Sequence, residues 1–116
     1  MFFSCIDKIK EVEMDMEGAK DVKKRILIGP KEGWDDSVMR LFRIEKGGYT
    51  PKHKHSWHHI NYIIEGEGVL LMDGKEYPIK KDCVAYVPPN IEHQYKNSGS
   101  SDLVLICIVP KEGENL

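Results

Sequence analysis

The chain has 116 residues, 41% hydrophobic and 31% charged, with a formal net charge of -2. That is the size of one domain with a single modest core, and the composition of an ordinary soluble globular protein. No basic stripe supports a nucleic-acid or anionic-membrane partner, the apolar start Met1–Ile6 is too short for a signal-peptide core, and no later run approaches the ~20 apolar residues that span a bilayer. The three cysteines, Cys5, Cys83 and Cys107, are odd in number and lack a C-x-x-C pair. They read as reduced thiols of a cytoplasmic protein.

Residues 1–21 form an N-terminal arm with two readings. Val12, Met14 and Met16 alternate with acidic residues in the period of a half-buried strand, which a dimer can exchange between subunits, whereas Ile6, Ile9 and Glu13 also fit one helical face. From residue 22 to 116 the signals are those of strands. Arg25–Ile28 stops at the breaker pair Gly29-Pro30, and Val38–Ile44 stops at Lys46-Gly47-Gly48. Then come Lys52–Ile64, Gly68–Met72, Glu76–Ile79, Val84–Val87, His93–Lys96 and Leu103–Val109. Asp73-Gly74 marks a tight hairpin of the type that needs positive φ at both central residues. Short strands at this spacing, without a long helix, predict an all-β sandwich or barrel. The last strand is apolar at every position, so both its faces need cover. A second layer or a second subunit supplies it, and a homodimer is the expectation.

All five histidines lie between positions 53 and 93, and four fall in the stretch His53-Lys54-His55-Ser56-Trp57-His58-His59. On a strand, His53, His55 and His59 share one face, and His58 points the other way. Neutral imidazole is a common metal ligand, and His93 can join the set from a neighbouring strand. The competing reading is a surface histidine patch. Against it, these histidines run into the strand pattern Ile60, Tyr62, Ile63, Ile64 and do not sit in a polar tail.

Gly47, His53-x-His55, His59 and Gly66 stand at the spacing of the first cupin motif, with His59 where a glutamate is usual. Asp82, Pro88, Asn90, His93 and Asn97 stand at the spacing of the second, with Asp82 and Asn90 replacing glycines. Asn, and less readily Asp, tolerates the left-handed backbone that such turns need. The sequence therefore resembles the cupin superfamily, closest to its small stand-alone barrels with four metal-binding histidines. That resemblance implies a single jelly-roll (double-stranded β-helix) barrel over 22–116. It also implies one divalent transition metal ion per chain on His53, His55, His59 and His93, manganese first, with iron, nickel, copper or zinc as alternatives.

A four-imidazole shell is neutral, so the ion keeps its full charge and suits an anionic or oxygen-rich ligand. No Asp or Glu lies on the ligand face of either histidine segment, which favours chemistry at the metal over general acid–base work. The functional expectation is a dioxygenase-type oxidoreductase acting on a carboxylate or diketone-like substrate. The alternative is a non-catalytic binder of a sugar or organic acid. Three further residues are pocket candidates. Cys107 is either a small core residue or a thiol near the metal. Arg40, on one face with Phe42, is a substrate-carboxylate clamp or, by preference, an ion-pair partner at the dimer interface. Trp57 is expected to pack on the face away from the ligands, and Tyr62, Tyr86 and Tyr95 to pack with satisfied hydroxyls.

Overall fold

Strands form wherever apolar residues alternate between turn residues, and the computed structural model, which describes residues 1–114, joins nine of them in one antiparallel sheet. The last two residues of the expected 22–116 domain lie outside the described residues. In chain order the strands are β1 (Val12–Glu13), β2 (Lys20–Ile28), β3 (Ser37–Tyr49), β4 (His59–Glu65) and β5 (Glu67–Met72). They continue as β6 (Lys75–Lys80), β7 (Val84–Val87), β8 (His93–Lys96) and β9 (Leu103–Pro110). The spatial order is β6-β5-β8-β3-β9-β4-β7, with β1 and β2 attached through the β2–β3 pairing. One buried cluster collects side chains from β2, β3, β4, β5, β6, β8 and β9, which a sheet achieves only by curling around its own inner face. This is the all-β architecture that the strand spacing predicts, in the jelly-roll barrel form that the resemblance implies.

Local turn chemistry behaves as expected. Asp73 and Gly74 have φ of 52° and 77° and close the β5–β6 hairpin, in which Met72 faces Lys75. Asp82 and Asn90 sit at φ of 71° and 64°, so the two motif glycines are replaced without losing the turns. Gly66, at φ 90°, is different in kind, because a Cβ there would collide with the Asp102 carbonyl oxygen.

Three expected boundaries move. β2 begins at Lys20 and not at Arg25, and β3 continues through Lys46-Gly47-Gly48 to Tyr49, because its end pairs with Lys96 of β8. The expected strand Lys52–Ile64 is not continuous. Residues 50–58 are an irregular connection with one isolated bridge, His53 to His93, and hydrogen bonds between Thr50 and Gln94 and Tyr95 of β8, and β4 starts only at His59. Pro51 cannot donate to a ladder, which fits the break.

Both faces of β9 are partly covered from within the chain. Leu103, Leu105, Cys107 and Val109 point into the barrel. On the outside, Val104 packs in a second cluster with Leu27 and Leu41, against which Ile9 of the N-terminal arm also packs. In this single chain the arm lies on its own barrel. β1 pairs with β2, and Glu11 accepts hydrogen bonds from both Nε and Nη2 of Arg43 at 3.0 and 2.7 Å. Farther along the same outer face, Ile60, Tyr62, Val84 and Tyr86 are exposed in facing pairs, Val84 by 73%.

Candidate metal centre

The first three histidines of the set reach one place by different routes. His53 exchanges two backbone hydrogen bonds with His93, at 3.2 and 3.0 Å, and this bridge holds the irregular connection beside β8. The His55 carbonyl accepts from the Asn90 backbone N–H at 2.7 Å, tying it to the turn before β8. His59 is the first residue of β4, as His93 is of β8, so both project into the barrel where their strands begin. The shared strand face expected for 53, 55 and 59 is therefore corrected: the bridge, a turn contact and a strand end bring them together. His58 points away and stacks on Tyr86 with ring centroids 5.8 Å apart.

The donor atoms of His53, His55 and His93 all lie within 4.8 Å of one another. His59 stands outside that set of three yet borders it. Its Nε2 is 2.8 Å from His55 Nε2, and its ring centroid is 4.6 Å from that of His55 and 4.8 Å from that of His93. The far side of each of these rings is held. His55 Nδ1 donates to the Trp57 carbonyl at 3.0 Å, and His93 Nδ1 to the Ile91 carbonyl at 2.8 Å. His59 Nδ1 lies 3.2 Å from Cys107 Sγ. With Nδ1 carrying the proton, Nε2 of His55 and of His93 each presents a bare lone pair to the cavity.

The electrostatics keep the rings neutral. Burial lowers all four histidines, with the charge of neighbouring rings as a further cause for His53, His55 and His59. His53 falls to about 4 and His59 to about 2. Arg40 adds repulsion at His53, His55 and His59. Above pH 6.5 the cluster is uncharged and ready to donate lone pairs.

These residues fit a transition metal ion, and the deciding observation is an orphan. His93 Nε2 is buried without a hydrogen-bond partner among the described residues, and buried polar atoms rarely go unpaired. Two nitrogens ~2.1 Å from one ion and at right angles to each other stand ~3 Å apart, which suits the His55–His59 contact. Carbonyl acceptors behind coordinating imidazoles are the usual way a protein fixes the tautomer of a metal ligand.

The histidines line a cavity of about 450 Å³ that also contains all three pocket candidates, Arg40, Phe42 and Cys107. Arg40 is 6% exposed and faces inward, so the interface role preferred for it is corrected. Its Nη1 donates to Glu114 Oε1 at 3.1 Å and its Nη2 to Cys107 Sγ at 2.9 Å, while the guanidinium lies 4.9 Å over the Phe42 ring. Trp57 is also corrected. It lines the cavity and stacks on His55, with centroids 4.3 Å apart and planes 9° from parallel. Of the tyrosines, Tyr62 and Tyr86 are exposed, and Tyr95 is buried with its hydroxyl donating to Asn61 Oδ1 at 2.8 Å. Burial pushes the Tyr95 phenol up, so it remains protonated.

Sequence reasoning missed Glu114 and Asn61. Glu114 is a cavity carboxylate that arrives from beyond β9, and no motif or periodicity marks it. Asn61 carried a weak signal, a polar residue at an inward position of β4 between His59 and Ile63.

Residues 40–109 match the family model Cupin_2, described as a cupin domain. The chain is 30% identical over 99 residues to the oxalate-binding protein of Thermotoga maritima, covering 82% of this chain and 81% of that one. It is 32% identical to auxin-binding protein 1 of Arabidopsis thaliana over 91% of this chain and 59% of that one. The chain spans 50% and 59% of the length of the first two curated relatives it matches. Among solved structures, a predicted oxalate decarboxylase from Thermotoga maritima superimposes with a TM-score of 0.86 at 25% identity, covering 94% of this chain and 98% of that one. The polyketide cyclase RemF from Streptomyces resistomycificus reaches 0.89 at 24% identity, covering 95% and 79%, a likeness of fold. The family match covers more than half of the chain, and with the curled sheet and the inward histidines it identifies this protein as a member of the cupin family.

Proposed function

We propose that this cupin is a metal-dependent enzyme acting on a small oxygen-rich anion, a carboxylate or diketone-like molecule. One divalent transition metal ion would be held by His53, His55, His59 and His93. The observation that carries the reading is the buried, unpartnered His93 Nε2 beside three further imidazoles kept neutral by burial. When bound, such an ion supplies Lewis acidity and, if redox-active, a place for dioxygen beside the substrate.

The chain's own residues have separate tasks. The carbonyls of Trp57 and Ile91 orient the His55 and His93 rings, and Cys107 Sγ does so for His59. Phe42, Leu105 and Trp57 contribute apolar surface to the cavity wall. Glu114 is the cavity carboxylate that the histidine segments lack, but its oxygens are committed to Arg40 and Lys24, at 3.1 and 2.7 Å. Glu114 is thus no free general base in the unliganded protein, and Glu112, another carboxylate lining the cavity, is exposed to solvent, so the dioxygenase-type reading stands ahead of acid–base chemistry. Manganese is the first choice of metal, with iron, nickel, copper or zinc as alternatives.

Elemental analysis of the purified, untagged protein and of His59→Ala tests the site. About one equivalent of a transition metal in the wild type, falling sharply in the variant, supports the four-histidine centre. A wild type that refuses added metal ends the proposal. The oxalate-binding relative favours a second reading, ligand binding without turnover. Oxygen uptake by the manganese- or iron-loaded protein with a panel of carboxylates and diketones separates the two.

A further inference from the structure

Arg40 is a buried cation on the wall of the cavity, and its counter-ion is not part of the barrel. Glu114 follows the single-turn helix Lys111–Gly113 that leaves β9, and its carboxylate reaches back to bridge Arg40 Nη1 and Lys24 Nζ. The turn is fastened by the Lys111 N–H donating to the Asp36 carbonyl at 2.9 Å. Gly113 packs so closely on Trp57 that a Cβ there would meet the indole nitrogen at 2.7 Å. A buried ion pair gives little stability that apolar residues of the same volume would not also give, so stability alone is a poor reason for Arg40. The guanidinium is moreover incompletely used, since its Nε is buried with no partner among the described residues. It also sits beside the histidines. Arg40 Nη2 to Cys107 Sγ and Cys107 Sγ to His59 Nδ1 are single contacts of 2.9 and 3.2 Å.

We infer that Arg40 and Lys24 form a subsite for a ligand carboxylate, that Glu114 fills this subsite in the free protein, and that the ligand is a dicarboxylate. One end of the ligand occupies the histidine end of the cavity, and its second carboxylate displaces Glu114 from the two cations. The exchange is chemically even, because a carboxylate replaces a carboxylate on the same donors and no buried charge is left unpaired. A cavity of about 450 Å³ takes such a molecule. The displaced turn carries Gly113 away from Trp57, so ligand entry and movement of this segment are one event. The inference rests on the metal reading for the ligand's first end only.

The test is titration with malonate and succinate against acetate, read by calorimetry and by Trp57 fluorescence in a Trp34→Phe background. Wild type, Glu114→Gln and Glu112→Gln are compared as full chains, with manganese and after chelation. Glu112 lines the same cavity but is exposed and makes no ion pair among the described residues, so it controls for the change in net charge. If Glu114 holds the subsite in about nine molecules of ten, Glu114→Gln tightens dicarboxylate binding by about tenfold. Glu112→Gln changes it by less than twofold. Acetate binding to the manganese-loaded protein, which needs the histidine end alone, moves little. In the wild type, dicarboxylate alters Trp57 emission. In the Glu114→Gln background Lys24→Met, on a half-buried surface residue, weakens dicarboxylate binding, and it serves if Arg40→Met does not fold.

The inference is overturned if Glu114→Gln binds malonate and succinate no better than Glu112→Gln, or if its gain survives Lys24→Met unchanged. Failure of the metal reading is distinct. It appears as a wild type that takes up no manganese, and the chelated protein then still reports whether removing Glu114 opens the Arg40–Lys24 pair to a carboxylate.

Discussion

His93 offers the most demanding test of the metal centre, through stability and not activity. A ligand that binds only the folded chain stabilises it by RT ln(1 + [L]/Kd), about 2.7 kcal/mol when free metal is a hundredfold above Kd. Unfolding entropy near ~2.1 cal/mol/K per residue gives ~0.24 kcal/mol/K for 116 residues. The quotient is a rise in Tm of about 11 °C on adding metal to the chelated wild type. Replacing His93 by Ala removes the ligand with the orphaned Nε2. If that weakens binding by ~100-fold, the scale on which losing even an outer partner of a ligand acts, about 0.4 kcal/mol and 2 °C of the rise remain. His58, stacked on Tyr86 outside the cluster, is the control, and His58→Ala should keep the full rise. Differential scanning calorimetry with manganese, zinc and chelator measures each case. A wild-type Tm indifferent to metal refutes the reasoning, as does a shift lost in His58→Ala and retained in His93→Ala.

The metal-free protein should also lose stability in acid. The folded values of the buried histidines lie below the free value of 6.5, so in that interval the unfolded chain binds more protons. Their contribution is intact above pH 6.5 and lost as pH falls through about 4 for His53 and toward about 2 for His59. A urea midpoint that stays constant from pH 7 to pH 5 contradicts this. Gly66→Ala should cost at least ~2 kcal/mol in urea unfolding, from a left-handed backbone and a clash with the Asp102 carbonyl. A cost below ~0.5 kcal/mol would mean that the β4–β5 connection moves freely. Light scattering should find a dimer of about twice 13.3 kDa, held through the exposed Ile60, Tyr62, Val84 and Tyr86, and Val84→Glu should make it a monomer. A monomeric wild type would show that the cover Val104 receives from its own chain is enough for β9.

What the sequence determined by itself was local. Asp73-Gly74 specified a hairpin because few residue pairs take positive φ twice in succession. Apolar alternation between such turns was enough for an all-β sandwich or barrel, since a sheet with one apolar face must bury it, and the motif resemblance chose the barrel. The spacing of His53, His55, His59 and His93 marked out candidate ligands, although the reason offered, one shared strand face, was not how they meet. Tertiary structure decided the rest. Curling the sheet turned Arg40 and Trp57 to the inside, and it brought Glu114 to Arg40 across 74 residues of chain. Periodicity reports which residues share a face, and a strand is blind to its partner across the barrel. Only closure of the sheet sets those meetings, because they depend on where each strand starts and on how the irregular stretch 50–58 is pinned to β8.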